Sequence, residues 1–108
     1  MTMTAEQPPR QNAQGDPCPD WCVADHSESW SSAHVSRPAD AGHAWASAVR
    51  TDGSLYVAIA GHEGGTWADL RLSPHDAEQL AILAAITGAS ELAAVIRQAA
   101  ALIAEDQP

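Results

Sequence analysis

Both cysteines of this 108-residue chain and two of its five histidines fall in one short stretch. It reads Pro17-Cys18-Pro19-Asp20-Trp21-Cys22-Val23-Ala24-Asp25-His26, continues through a Ser-rich bend and reaches His34. Thiolate sulfur and imidazole nitrogen are the donors a structural zinc ion takes, four in a tetrahedron, and Cys18, Cys22, His26 and His34 supply a Cys2His2 set. Positions 18, 22 and 26 are successive i,i+4 neighbours, so a short helix opened by Pro19 would put all three on one side, with His34 closing the site from a loop. The spacing differs from that of a DNA-reading zinc finger, whose histidines follow only after a longer helix. His43 is the alternative to His34 as fourth ligand. Asp20 and Asp25 are placed to solvate the loop or to orient an imidazole.

Other chemistries compete for the same residues. Cys18 and Cys22 could join as a disulfide, or release zinc and join on oxidation as a thiol redox sensor, although i,i+4 positions on a helix lie near the upper limit of disulfide reach. They could also be ordinary buried thiols near unrelated histidines. A zinc-dependent hydrolase would need one ligand to be dispensable, leaving an open position for water, with His26, Asp25 or Glu63 as base. The pair His62-Glu63 does not extend to HExxH, because residue 66 is Thr, and its three flanking glycines read as a hairpin loop. No convincing catalytic set emerges. The favoured reading is a non-enzymatic, zinc-stabilised interaction or regulatory module whose process and protein partner the sequence does not name.

The elements that must position this head follow it. A strand is expected from His43 to Arg50, alternating His43, Trp45, Ser47 and Val49 against Ala44, Ala46 and Ala48. Asp52-Gly53 suits a tight reversal. Leu55, Val57 and Ile59 alternate in a second strand, Leu55 to Ala60, and Ala68, Leu70 and Leu72 in a third, Thr66 to Leu72. Ser73-Pro74 with Asp76 opens a helix running to about Thr87, with Leu80, Leu83 and Ala84 on one face widened by Ile82 and Ile86, and Gly88 stops it. A second helix from Ser90 carries a sustained stripe of Leu92, Val95, Ile96, Ala99, Leu102 and Ile103. Two apolar helices exceed what a three-stranded sheet needs, so this C-terminal helix could pack on the first or form a homodimer. The expected fold is α+β: a small zinc-stapled domain, a three-stranded antiparallel meander packed by one or two C-terminal helices. Residues 1–16 read as a disordered tail and 17–108 as one domain, with the head at 17–35, the meander at 43–72 and the helices at 74–105.

The Cys-Pro-Asp-Trp-Cys run, His26, the His34-Val35-Ser36 step and the Ser-Pro-x-Asp-Ala-Glu helix opening at Ser73 resemble an uncharacterised actinobacterial domain-of-unknown-function family. Its members carry a CPxWC…H…H head, a strand region and an alanine- and leucine-rich helix. The resemblance covers about residues 17 to 87 and implies a zinc-binding fold with no reaction attached. The segment from Ser90 is longer than that family's pattern.

Composition sets the outer bounds. The chain has no Phe, and much of its 45% hydrophobic content is alanine, so the four tryptophans and the Leu/Ile/Val set must carry the core. Net charge is −9, and with no lysine the only cations are Arg10, Arg37, Arg50, Arg71 and Arg97. Such a surface repels phosphate backbones, which argues against direct nucleic-acid binding and suits a basic partner or plain solubility. No stretch approaches the length of a membrane span, and Met1 to Arg10 lacks both a basic start and an apolar run, so a cytoplasmic protein is expected.

Overall fold

The computed structural model describes residues 11, 15, 17–24, 26, 33–51 and 54–106. The tail assigned to 1–16 lies almost wholly outside the described residues, as do Asp25, Trp30 and the Asp52-Gly53 turn. The elements run β1 (His34–Val35), β2 (Ala39–Asp40), β3 (Ala44–Thr51), β4 (Ser54–Glu63), β5 (Thr66–Leu72), α1 (Pro74–Ile86) and α2 (Ser90–Asp106). All pairings are antiparallel, in the order β1-β3-β4-β5, with β2 also on β3. The fold is therefore α+β, with the expected meander enlarged by two short strands.

Those two strands share one edge of β3 but not one register. His34 lies opposite Arg50 and Val35 opposite Val49, whereas Ala39 lies opposite Ala46. Ser36 still exchanges with Ala48, so Arg37 and Pro38 together face the single Ser47, a β-bulge. Pro38 has no N–H to give to a ladder, which accounts for the interruption. Ser36 compensates by accepting the buried amide N–H of Ala48 on its Oγ at 2.8 Å.

The β4–β5 connection is tighter than the five-residue loop expected at 61–65. Glu63 pairs with Thr66, and the turn is Gly64-Gly65 alone, both at positive φ (56° and 85°), as a two-residue hairpin requires. Gly61 and His62 belong to β4. At Gly61 a Cβ would stand 2.8 Å from the carbonyl oxygen of His43, so strand crowding sets this glycine.

Alternation in the sheet sends Ala46 and Ala48 of β3 and Val57 and Ile59 of β4 to the face covered by the helices. There α2 lies across β2, β3 and β4, while α1 lies beside α2 and reaches β4 and β5. Most of the expected α2 stripe is spent inside the chain: Val95, Ile96, Ala99 and Ile103 are buried, and Leu92 and Leu102 pack against them. Fully burying Ile96 and Ile103 contributes about 1.5–3 kcal/mol each.

The first helix differs from expectation. Ser73 caps it, its Oγ accepting the N–H of Asp76, but the stripe turned to the core is Ala77, Ala81 and Ala84. Leu83 and Ile86 are 57% and 76% exposed. Methyl-sized side chains let α1 approach α2 closely, and they join across the short Thr87-Gly88-Ala89 link. The third strand also departs from expectation, since Ala68 and Leu70 are exposed and only Leu72 of its apolar side packs on the core.

Candidate metal centre

The head reaches the sheet through backbone rather than through a helix. Cys22 N–H bonds Pro19 carbonyl (3.0 Å), closing a turn, and Val23 N–H then bonds Val35 carbonyl (2.9 Å), with Cys22 bridging Ser36. These bonds divert the amides that an i→i−4 ladder would need, so the expected helix over 18–26 is replaced by a turn and an extended step. Arg50, directly opposite His34 on β3, donates to the carbonyl of Pro17 and so anchors the chain immediately before Cys18. Trp21 packs against the hydrophobic core and so anchors the head there.

The four expected side chains come together. The donor atoms of Cys18, Cys22, His26 and His34 all lie within 4.8 Å of one another. Cys22 Sγ stands 3.6 Å from His26 Nε2, and the two imidazole rings meet edge to face with centroids 5.1 Å apart. In a tetrahedral zinc site with bonds of about 2.3 Å to sulfur and about 2.05 Å to nitrogen, adjacent sulfur and nitrogen are about 3.6 Å apart. Cys22 and His34 are buried (4% and 0% exposed) and Cys18 and His26 half-buried. Both cysteines are thiols. His26 Nδ1 is buried with no hydrogen-bond partner among the described residues, leaving Nε2 as the nitrogen aimed into the group. His34 arrives on strand β1, not from a loop, which fixes its backbone more firmly than the sequence implied.

Several other candidates stay apart. His43 is exposed, and its ring faces that of His62 at 5.6 Å rather than joining the sulfurs. Asp20 and Glu63 are exposed and belong to no metal-sized group of donors among the described residues. An open concavity of about 780 Å³ lies by His43, Ala44, Gly61, His62, Glu63, Thr66 and Ala68.

Sequence reasoning did not single out an aromatic group on the sheet face away from the helices. His62 lies opposite Trp67, their rings 4.8 Å apart, and Trp45 meets Trp67 at 5.9 Å. The signal was present in the alternation of β3 and β5, which sets Trp45 and Trp67 on one side of their strands.

Compared with known proteins, the chain matches no protein-family model, no curated protein and no solved structure. Among the described residues no helix is long and apolar enough to cross a membrane.

Proposed function

We propose that Cys18, Cys22, His26 and His34 hold one structural zinc ion, and that the protein is a non-enzymatic, zinc-stabilised module for binding or regulating another protein. The observation that carries this is the convergence of two sulfurs and two imidazoles, with the Cys22–His26 separation a zinc tetrahedron demands. Four protein donors fill the coordination sphere, which favours a structural over a hydrolytic metal. The ion would bind the segment around Cys18 and Cys22 to β1, and through it to β3. A core this rich in alanine gains from such a tie, because each alanine buries little area. A zinc-bound thiolate pair fits a reducing compartment, and we place the protein in the cytoplasm on that ground.

Metal analysis of the purified protein tests the reading. About one zinc per chain is expected, with Cys22→Ser and His34→Ala each losing the metal and several degrees or more of Tm. A parent chain free of metal, or variants that keep a full equivalent, would overturn it. Cobalt substitution adds a spectroscopic check: thiolate-to-metal charge transfer and tetrahedral d–d bands are expected, and an octahedral spectrum would contradict four protein ligands.

A further inference from the structure

The two long sides of the sheet differ. Beyond β3 lie β1 and β2, but among the described residues β5 is the last strand, and residues 66–71 are exposed without interruption. The Glu63–Thr66 closing pair sets the hydrogen-bonding phase: Thr66, Ala68, Leu70 and Leu72 bond to β4, while Trp67, Asp69 and Arg71 direct their N–H and C=O groups outward. Strand β5 has no proline and no lysine, and its register with β4 runs without a bulge, so of the usual devices that blunt an edge it carries only the charges of Asp69 and Arg71. Next to it runs an apolar flank of α1. Glu78 reaches across to Arg97 of α2 at 3.5 Å, and Leu83, five residues on, lies on the opposite flank, while α1 itself reaches β5.

We propose that β5 is the seam of a two-fold homodimer, pairing antiparallel with β5 of a second copy so that Leu70 meets the partner's Leu70 at the axis. Charge selects the register. A two-fold pairing that keeps the sheet faces aligned must be centred on a residue. Centring on Asp69 sets two carboxylates against each other, and centring on Arg71 sets two guanidiniums together. Centring on Leu70 places Asp69 opposite the partner's Arg71 and Arg71 opposite the partner's Asp69, two complementary pairs, with Ala68 opposite the partner's Leu72 on the helix side. Leu70 is 49% exposed and Leu83, on the flank of α1 away from Glu78, 57% exposed, so with the strand backbone they give the seam apolar area to bury. The same contact covers the open edge and the exposed flank of α1. It leaves α2, already packed within the chain, uninvolved.

Sedimentation of the full zinc-loaded chain at about 100 μM tests this, with Asp69→Arg and Arg71→Asp measured separately and as an equimolar mixture. The parent is expected to be a dimer. Each variant alone opposes like charges at both pairs and should weaken dimerisation about tenfold or more, whereas the mixture restores opposite charges and should recover parent-like assembly. Leu70→Arg, which sets two guanidiniums on the axis from a half-exposed position, should give a folded monomer by circular dichroism. A monomeric parent, single variants that dimerise as the parent does, or a mixture no tighter than its components would overturn the proposal. A different protein seated on β5, or the chain's own N-terminal segment, would show as a parent that is monomeric when pure.

Discussion

His34 stands where two kinds of constraint meet. Its backbone is fixed by pairing with Arg50, and its fully buried ring is brought among the sulfurs and the second imidazole. Two residues on, Ser36 determines how well that strand is held. Replacing Ser36 with Ala would leave the Ala48 N–H buried without its acceptor, at a cost of about 1–3 kcal/mol. Urea unfolding should show this loss, and a stability within error of the parent would mean that water or a relaxed strand replaces the hydroxyl. The donor set could be read from the sequence because all four residues lie in one run with metal-ligand chemistry. The strand carrying His34 could not, since two residues offer no alternation to read and β1 exists only through its pairing with β3. For the same reason the i,i+4 spacing suggested a helix. Only the tertiary bond from Val23 to Val35 shows why the amides go elsewhere.

Among the elements, the meander was legible because β3, β4 and β5 each alternate for several residues and Ser73-Pro74 punctuates the helix start. The inward face of α1 was not. Alanine, leucine and isoleucine occupy most of its positions, so periodicity alone cannot choose a side, and close approach to α2 selects the smallest residues. Ala81→Leu should therefore destabilise, despite adding apolar volume, by about 1–3 kcal/mol, because the site is fully buried and has no room. Unchanged or raised stability in a thermal melt would show that the seam is loosely packed. Gly61→Val provides a parallel test in the sheet. Its Cβ would meet the His43 carbonyl oxygen at 2.8 Å, a backbone atom that cannot turn aside, so a clear fall in Tm is expected. A melt like the parent's would mean that the two strands can part at that point without cost.

For the whole molecule, the sequence conveyed the acidic charge and small size, while the layout of its layers came only from packing. The hydrophobic core is built from sheet and helices, and among the described residues of the head Trp21 alone packs against it. Chelation of the metal should therefore be read unevenly by amide hydrogen exchange. The amides of Cys22 and Val23, whose partners Pro19 and Val35 lie in the head, should lose protection first, while those in the middle of β3 and β4 hold on. A uniform rise in exchange would instead mean that head and core unfold as one unit.

The donors of the proposed site are also neighbours in the order of synthesis. All four occur by position 34, before β3, β4, β5 or either helix has begun. Gathering them closes only short loops, for which the entropic penalty is small. On this reading the emerging polypeptide has its complete ligand set before the first long strand is made. Ion capture would then precede the sheet, and β3 would assemble against an edge already in place.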